Sequence, residues 1–288
     1  MIDEMPALLA RHLPGCEVRS VTVLGEGWDN VAYEVNGELV VRRSKAADPA
    51  ERSGQVRREA ELLAAVAGLS PLSVPRVVFS DPGAGVLAYA KLPGLPLSEH
   101  PPADPVRLAP VLGEFAARLH GAPAETMARL VPQDVTAPQE LLDEAAGDYR
   151  QVAGLVPAAW RRRVEDFLGR TPPPGPDRLV FCHNDLGDEH VLADPATGAV
   201  TGIIDWTDAA LADPAYDLAL LHRDLGPEVL AAAADRYRAC GGRWEAADHE
   251  RAVFHARCAL LEDIAYGVRT GSRRYTEAGL ARLAPVFS

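Results

Sequence analysis

The sequence predicts an α+β protein of two lobes, a small lobe of antiparallel strands with one helix and a larger, mainly helical lobe. Short alternating apolar runs, separated by turn residues, fill much of the first 92 residues and are typical of strands. A Pro/Gly-rich segment, 93–97, follows them. Beyond it, most apolar residues recur at the three- and four-residue spacing of helices. We therefore place the small lobe at residues 1–92, with a hinge near 86–92, and the large lobe at 93–288.

The composition is that of an ordinary soluble globular protein. Of 288 residues, 48% are hydrophobic and 24% are charged. No apolar run is long enough to span a membrane, and the first 15 residues lack the pattern of a signal peptide, so we expect a cytoplasmic protein without a membrane partner. The net charge of −12 argues against a nucleic-acid partner, which requires a basic face. Monomer and dimer are left undecided.

The most informative stretch runs from Leu179 to Trp206. It reads LVFCHNDLGDEHVL, then ADPATGA, then VTGIIDW. Two apolar runs enclose a loop that contains His183, Asp185 and His190, and a third apolar run ends at Asp205. Two strands joined by a turn would hold these carboxylates and imidazoles near one another.

Two of these acids suit phosphoryl transfer. That reaction needs one carboxylate to orient the attacking hydroxyl and accept its proton, and a second anion at a strand end to hold the metal that neutralises the nucleotide phosphates. Asp185 fits the first role and Asp205 the second. A kinase catalytic loop has a metal-binding Asn five residues after its Asp, and here that position is His190.

The stretch resembles the aminoglycoside phosphotransferases and their kinase-like relatives, which carry H-[GN]-D-x-x-x-x-[NH] followed by a strand ending I-D-W or I-D-F. The run DPAYDLA, Asp213 to Ala219, is similar to theirs. His190 in place of Asn is shared with the macrolide phosphotransferases and one subgroup of the aminoglycoside enzymes. The resemblance implies a two-lobe protein-kinase-like fold, ATP or GTP as co-substrate, and magnesium, with manganese as the alternative that an imidazole ligand favours.

The same resemblance implies roles for individual residues. Asp185 is the expected catalytic residue, and His190 and Asp205 are the expected metal ligands. Asp217 is expected to brace the backbone of the catalytic loop, with His183 as further structural support.

The small lobe is predicted to open with a helix, Met1 to His12, and a strand, Val18 to Leu24. A glycine loop, Gly25 to Asn30, separates that strand from two more, which are joined by Asn36-Gly37, a strong hairpin signal. Glycine lets backbone N–H groups approach phosphates closely. The loop residues assigned to the nucleotide are Gly25, Gly27 and Asn30.

Arg42 ends the third strand, where a kinase has the lysine that pairs with the phosphates, and family members resembling this chain often have Arg there. We therefore assign Arg42 to the phosphates. Glu59, in the helical segment VRREAELLAAV, is the acid expected to pair with it. A later strand, Val86 to Leu92, is expected to include the hinge, where backbone groups of Ala88 and Ala90 bind the nucleotide base.

The large lobe is predicted to begin with an amphipathic helix, Ala103 to His120, whose buried face includes Val106. His120 ends that helix as a cap or packed polar group and is given no catalytic role. The later predicted helices are 140–149, 158–168, 227–240 and 248–269, of which the last two close the chain.

Charge in the catalytic region favours a cationic acceptor. Nine acids and one base, Arg223, lie between Phe181 and Asp224. A cleft of this charge would attract magnesium and an amine-bearing molecule. In the antibiotic kinases that the chain resembles, the acceptor binds against the terminal helices. The residues that this implies for acceptor contacts are Asp188, Glu189, Asp208, Glu262, Asp263 and Tyr266.

We therefore expect transfer of the γ-phosphate of ATP or GTP to a hydroxyl of an antibiotic, with an aminoglycoside as the first choice. A macrolide fits the His190 variant, and a nucleoside antibiotic or a metabolite such as an amino sugar or homoserine is a further alternative. An aminoglycoside should bind in a salt-sensitive way, because its contacts join ammonium to carboxylate groups.

Two other classes compete with a phosphotransferase. In a metal-dependent hydrolase, zinc would be bound directly by His183, Asp185, His190 and Asp205. That alternative gives the glycine loop, Arg42 and Glu59 no role. A degenerate scaffold that binds a nucleotide without reacting is disfavoured by the presence of Asp185 and Asp205.

Overall fold

The computed structural model describes residues 2–27 and 29–288. Met1 and Trp28, which belong to the predicted first helix and the predicted glycine loop, lie outside the described residues. The chain divides into two units, the first formed by Met1–Gly94 with Thr201–Thr207 and the second by Leu95–Val200 with Asp208–Ser288. The expected division at residue 92 took 93–288 as one lobe, whereas here Thr201–Thr207 belongs to the first unit.

The first unit is an antiparallel five-stranded sheet with two helices. A short 3-10 helix, Ile2–Glu4, leads into α1 (Met5–His12). The strands are β1 (Val21–Glu26), β2 (Asn30–Val35), β3 (Leu39–Ser44), β4 (Val77–Asp81) and β5 (Val86–Ala90), in the order β1-β2-β3-β5-β4. Asn36 and Gly37 have φ of 58° and 75°, the left-handed values that a tight I′ turn requires, so the predicted hairpin is confirmed.

Helix α2 (Pro49–Leu69) connects β3 to β4. It begins at Asp48, whose carboxylate accepts hydrogen bonds from the backbone N–H groups of Ala50 and Glu51, as expected of an N-cap. Its buried residues are the four apolar positions that the helical spacing predicts, namely Val56, Leu62, Leu63 and Val66. The helix therefore packs one stripe inward and carries Glu59 on a more polar side.

Segment Thr201–Thr207 is attached to the rest of the first unit by hydrogen bonds to backbone carbonyl groups. Ile203 N donates to the Ser73 carbonyl at 2.9 Å, and Thr201 Oγ1 donates to the Pro93 carbonyl at 2.6 Å. At Gly202, an added Cβ would lie 2.9 Å from the Ser73 carbonyl oxygen, so only glycine permits this approach. These contacts fix the segment that carries Asp205.

The second unit is mainly helical. Its helices are α3 (Ala109–His120), α4 (Ala124–Met127), α5 (Pro138–Val152), α6 (Ala158–Leu168), α7 (Pro214–Leu225), α8 (Pro227–Ala239), α9 (Ala246–Thr270) and α10 (Arg273–Phe287). Short strands complete it: β6 (Leu95–Pro96) pairs with β8 (Val191–Ala193), and β7 (Val180–Cys182) pairs with β10 (Ala210–Ala212), both antiparallel. Strand β9 (Val200–Ile203) lies between β8 and β10 in the sequence. The α+β class is thus confirmed.

Three helix predictions need correction. The chain closes with three helices after α7, because 273–287 forms α10, and α7 itself was not predicted. Val106 was placed on a buried helix face but is 40% exposed. It lies in a 3-10 helix, Pro105–Leu108, whose tighter winding changes which residues face the core.

Helix α9 forms the centre of the second unit, where it packs against α5, α7 and α10. Helix α3 packs against α8, and the two backbones approach closely at Gly113, where an added Cβ would lie 2.3 Å from the Ala233 carbonyl oxygen. Within the two described ranges, no helix is both long and apolar enough to cross a bilayer.

His222, in the last turn of α7, is expected to make the second unit sensitive to acid. Burial lowers the pKa of this imidazole from 6.5 to about 4. Between pH 6.5 and about 4, this imidazole is protonated in the unfolded chain but not in the folded protein. The stability that neutral, buried His222 contributes is therefore fully present above pH 6.5 and is lost as the pH falls toward 4. We expect a loss of the order of 2 kcal/mol in the free energy of unfolding.

Urea unfolding at pH 7 and pH 4.5 should measure that loss, with His222→Asn as the variant that cannot titrate. The variant is expected to lose less stability on acidification than the wild-type protein. Equal losses in the two proteins would assign the acid sensitivity to other groups.

Candidate active site

The catalytic loop lies between β7 and β8 and is braced by Asp217 of α7. Asp217 is fully buried, and its carboxylate accepts hydrogen bonds from the backbone N–H groups of His183 at 3.0 Å and Asn184 at 2.8 Å. Asn184 has a φ of 64°, a left-handed conformation that these bonds hold in place. The loop therefore presents Asp185 from a fixed backbone.

His120 is part of this brace, as the packed polar group that was one of its two expected roles. Its Nε2 lies 3.0 Å from the Asp217 carboxylate, and its Nδ1 lies 3.0 Å from the Tyr237 hydroxyl. Both ring nitrogens are engaged and the residue is buried, so His120 connects α3 to α7 and α8. The sequence signal that marks such a role is a histidine within an otherwise apolar buried face.

His120, Cys182 and Asp217 together offer three metal-ligand atoms within 4.8 Å of one another. The hydrogen bonds argue against a metal site there, because both His120 nitrogens and both Asp217 oxygens are already engaged. Burial, and then the charges of Asp217 and Asp213, raise the pKa of the Cys182 thiol well above its usual range. The group is a structural brace with a protonated thiol.

Asp185 lies against His190. The imidazole Nδ1 is 2.8 Å from the Asp185 backbone carbonyl and 3.2 Å from its carboxylate oxygen Oδ2. Burial opposes ionisation of Asp185, but the hydrogen bond and charge of His190, with His183 and Arg223, lower the pKa of this carboxyl below its usual range. The carboxylate is 36% exposed, so it is both ionised and accessible to an acceptor hydroxyl.

In the first unit, Arg42 joins the acids that the sequence singled out. Its Nη1 lies 2.7 Å from Glu59 Oε1, the predicted pair, and 3.4 Å from Asp205 Oδ1. Nη2 donates to Thr207 Oγ1 at 2.7 Å, a partner that no sequence pattern predicted. Burial opposes the charge on Arg42, but Glu59 and Asp205 raise the pKa of the guanidinium above its usual value, so it remains a cation.

Asp205 has a φ of 57° and, like Asn184, adopts the left-handed conformation. Asp205 is also one of the predicted functional residues. Its Oδ1 accepts a hydrogen bond from Thr207 Oγ1 at 2.7 Å, and the carboxylate is 40% exposed. An accessible carboxylate is the kind of ligand that magnesium prefers, so Asp205 fits the predicted metal role. His190 fits less closely, because its Nδ1 is directed at Asp185 and a metal would have to take Nε2.

The residues assigned to the nucleotide loop and hinge lie in the sheet of the first unit. Gly25 is at a register shift in β1, and Gly27 N donates to the Asn30 carbonyl at 2.9 Å, closing the loop on itself. Ala88 lies inside the sheet, between β3 and β4, which argues against a contact between its backbone and a base. Ala90, at the end of β5, is exposed. Their nucleotide contacts stay predictions.

The expected negative cleft is largely neutralised. Seven of the nine acids between Phe181 and Asp224 pair with basic side chains: Asp185, Asp188, Glu189, Asp205, Asp213, Asp217 and Asp224. Four of the partners come from α3, α9 and α10, namely His120, Arg251, Arg274 and Arg282. The net charge counted between Phe181 and Asp224 in the sequence is therefore more negative than the charge of this region in the folded protein, where basic side chains from other elements pair with the acids.

Three residues assigned to the acceptor are bound to arginines of the same unit. The pairs are Asp188–Arg282, Glu189–Arg274 and Asp263–Arg223, the last at 3.2 Å. Burial raises the pKa of Asp188 to about 6 and that of Asp263 to about 7, and the arginines offset it only in part. Asp208 is exposed, and the half-buried Tyr266 has its ring edge against Tyr275.

A cavity of about 400 Å³ between α5 and α9 keeps an acidic lining. Glu144, Asp148 and Glu262 border it, and Asp148 also pairs with Arg269 at 2.6 Å. Desolvation by the surrounding protein raises the pKa of Glu262, and the negative charges of Asp148 and Glu144 raise it further. A ligand ammonium would relieve this repulsion. Glu262 was predicted from the sequence, but Glu144 and Asp148 of α5 were not. Helical spacing within α5 does not show that these two acids lie beside Glu262 of α9.

Arg42→Lys is expected to raise the KM for the nucleotide about tenfold, because one ammonium cannot keep contacts with Glu59, Asp205 and Thr207 at once. Steady-state kinetics with varied nucleotide measure it. The matched control is Arg43→Lys, since Arg43 forms only a partly exposed pair with Glu4. A wild-type nucleotide KM in Arg42→Lys would remove Arg42 from the phosphate site.

The chain is similar to known phosphotransferases over nearly its whole length. The model of the APH phosphotransferase enzyme family matches residues 20–253. Viomycin phosphotransferase of Streptomyces vinaceus is 26% identical over 98% of both chains. The structure of macrolide 2'-phosphotransferase type I is 27% identical with a TM-score of 0.68, over 98% of this chain and 96% of that one. The GDP and kanamycin complex of APH(2")-IIIa is 24% identical with a TM-score of 0.69, over 98% of both.

The structural neighbours confirm the predicted kinase-like fold. The family match decides between the competing classes, because it favours phosphoryl transfer over a metal-dependent hydrolase. The chain therefore belongs to the phosphotransferase enzyme family and is an enzyme that transfers phosphate to a hydroxyl acceptor.

Proposed function

We propose that this enzyme transfers the γ-phosphate of ATP or GTP to a hydroxyl of an amine-bearing antibiotic, such as an aminoglycoside. The observation that carries the proposal is the ionised, accessible Asp185 on a loop braced by Asp217. The similarity to viomycin phosphotransferase over 98% of both chains supports an antibiotic as acceptor.

Asp185 is the proposed catalytic residue. Its carboxylate accepts a hydrogen bond from the acceptor hydroxyl, orients the oxygen toward the γ-phosphorus, and takes the proton as the new P–O bond forms. The bond between the γ-phosphorus and the β–γ bridging oxygen breaks in the same step, and the nucleoside diphosphate leaves with that electron pair. The lowered pKa keeps this group ionised before the reaction. His190 fixes the carboxylate through Nδ1, which limits its rotation.

Residues of the first unit are proposed to bind the nucleotide. Arg42, held by Glu59, supplies a cation for the phosphate oxygens. Magnesium, when bound to Asp205 and His190, would neutralise charge on the phosphates. Glu59 then keeps the guanidinium in place while Asp205 serves the metal.

The acidic cavity supports an amine-bearing acceptor. Asp188, Glu189 and Asp263 already have arginine partners, whereas Glu262 is exposed beside two further carboxylates. Ammonium groups of the acceptor would pair with Glu262 and Glu144 there. Leu141 borders this cavity and also a neighbouring one that Asn184 lines, so the acidic cavity is close to the catalytic loop.

A nucleotide-consumption assay tests the proposal. The purified enzyme, with magnesium and either ATP or GTP, is offered kanamycin, viomycin, a macrolide and a nucleoside antibiotic. We expect turnover with an amine-bearing compound and a KM that rises with salt, because ammonium–carboxylate contacts are screened. Turnover with none of the antibiotics, or only with an acceptor that lacks amines, would contradict it.

A macrolide is the second candidate acceptor. His190 stands where a kinase catalytic loop has Asn, a variant that resembles the macrolide enzymes and one subgroup of the aminoglycoside enzymes, and the macrolide 2'-phosphotransferase structure is 27% identical. Macrolide turnover with a KM that is insensitive to salt would favour this candidate over an aminoglycoside.

A further inference from the structure

A second cavity, of about 410 Å³, lies in the second unit beside the catalytic loop. Its wall is formed by the start of α5, the Pro/Gly segment before β7, and residues of α7 and α9. Apolar side chains make up much of that wall, including Val135, Leu141, Pro176 and Leu179. Leu141 also borders the acidic cavity, so the two cavities are neighbours.

Two buried hydrogen-bond acceptors belong to residues that border this cavity. Asn184 Oδ1 and His255 Nδ1 are both buried and find no hydrogen-bond partner within residues 2–27 and 29–288. The other side-chain groups of these residues are occupied. Asn184 Nδ2 donates to Asp134 at 3.4 Å, and His255 Nε2 is 3.1 Å from Asp213.

The surroundings of Asp213 fix which His255 nitrogen carries the proton. Arg251 Nε donates to the Asp213 carboxylate at 2.7 Å, and the N–H of Ala215 donates to it at 3.0 Å. Burial opposes ionisation, but His255 and Arg251 lower the pKa of Asp213 to about 2. An ionised carboxylate only accepts hydrogen bonds, so Nε2 of His255 carries a proton and donates, and in the tautomer with that single proton Nδ1 is an acceptor.

Buried acceptors without donors are costly, at about 1–3 kcal/mol each, unless a ligand or an ordered water supplies N–H or O–H groups. Here both acceptors belong to residues that line one cavity, and Asn184 directly precedes Asp185. The Tyr216 ring lies edge-on to His255, with centroids 5.4 Å apart, and it holds the imidazole in position. A ligand that fits would carry hydroxyl or amine donors on one edge and a carbon face for the apolar wall.

We propose that this cavity is a second acceptor subsite, which binds a hydroxyl-bearing ring of the antibiotic through Asn184 Oδ1 and His255 Nδ1. This inference rests on the proposed function, and it adds that the acceptor spans two cavities. The neighbouring acidic cavity takes its amine groups, while Leu141 lies between the two parts of the ligand. Asn184 and His255 are specificity-determining residues in this arrangement, and Asp213 positions His255.

Val135→Trp tests the subsite by filling it, since Val135 lines the cavity and is 69% exposed. The acceptor is whichever of kanamycin and viomycin the wild-type enzyme turns over. We expect its KM to rise at least about tenfold while the KM for the nucleotide stays within about twofold. The matched control, Gln139→Trp, changes an exposed residue near the start of α5 that does not line the cavity and should leave both constants unchanged.

A crystal structure of the enzyme with the same antibiotic, and without nucleotide, provides the second measurement. A ring whose donors contact Asn184 Oδ1 and His255 Nδ1 supports the subsite. Water alone on both atoms with the antibiotic bound elsewhere, or an unchanged acceptor KM in Val135→Trp, overturns it. Failure of every antibiotic to react would instead count against the proposed function, and soaking with kanamycin would still decide whether the cavity binds a ring.

Discussion

Asp185→Asn is expected to lower kcat by about 10²–10⁴-fold, because an amide has the shape of the carboxylate but cannot take a proton. His190 can still donate to the amide oxygen, so the loop should keep its structure. Nucleotide affinity should remain within about twofold of the wild-type value, since the phosphate-binding residues are unchanged. Single-turnover kinetics with the identified acceptor and titration calorimetry with the nucleotide measure the two effects separately.

Asp166→Asn is the matched control, because Asp166 is an exposed acid on α6 and changes the net charge by the same amount. It should leave kcat and nucleotide affinity unaltered. Retention of more than about a tenth of wild-type kcat by Asp185→Asn would show that another group accepts the proton.

Asp217→Ala is expected to lower the free energy of unfolding of the second unit by about 3–5 kcal/mol and kcat by about 10²-fold. The change leaves the N–H groups of His183 and Asn184, and the ring of His120, without their common acceptor. The catalytic loop then loses the contact that fixes the backbone before Asp185. Thermal unfolding and kcat, each measured below the midpoint temperature, test the two parts.

Gly113→Ala separates loop positioning from general destabilisation. Its added Cβ would clash with the Ala233 carbonyl oxygen at 2.3 Å, in the contact of α3 with α8, and the change removes no hydrogen bond of the brace, so it should reduce stability without changing kcat in the folded protein. If Asp217→Ala does not fold, His120→Gln removes one contact of the same brace and should reduce kcat by a smaller factor. Equal kcat in wild type and in both brace variants would limit Asp217 to a role in stability.

The local elements were predictable from the sequence where a short pattern determines them. Asn36-Gly37 determines its hairpin, because few other residues adopt the turn conformation. The apolar stripe of α2 determines which side of that helix is buried. The orientation that follows brings Glu59 to Arg42, as the sequence predicted. The spacing of Asp185 and His190 likewise predicted a loop that holds the two side chains near one another, and they are in contact.

Long-range charge pairs could not be predicted in the same way. Arg274 and Arg282 lie on α10, a continuous helix that contains Gly279 and Pro285, two residues that disfavour a helix prediction. Their partners are about 85–94 residues away along the chain, at Glu189 and Asp188. Linear charge counts cannot include such pairing, so the sequence overestimated the acidity of the catalytic region. Thr207 and the partners of His120 were not predicted, because the sequence around a hydroxyl or a helical histidine does not indicate which distant group it contacts.

The left-handed backbone at Asn184 and Asp205 also has a consequence for protein engineering. Glycine adopts these angles without the penalty of the order of 1 kcal/mol that other residues incur, so a library selected for heat resistance alone should enrich glycine at both positions. Asp205→Gly clones would survive heating yet lose the proposed metal ligand and with it phosphate transfer, whereas Asn184→Gly clones, with a loop sequence that the related enzymes also have, would keep transfer and lose only the amide proposed to contact the acceptor. A stabilisation campaign on this enzyme should therefore keep both codons fixed and draw its glycine or proline changes from other loops.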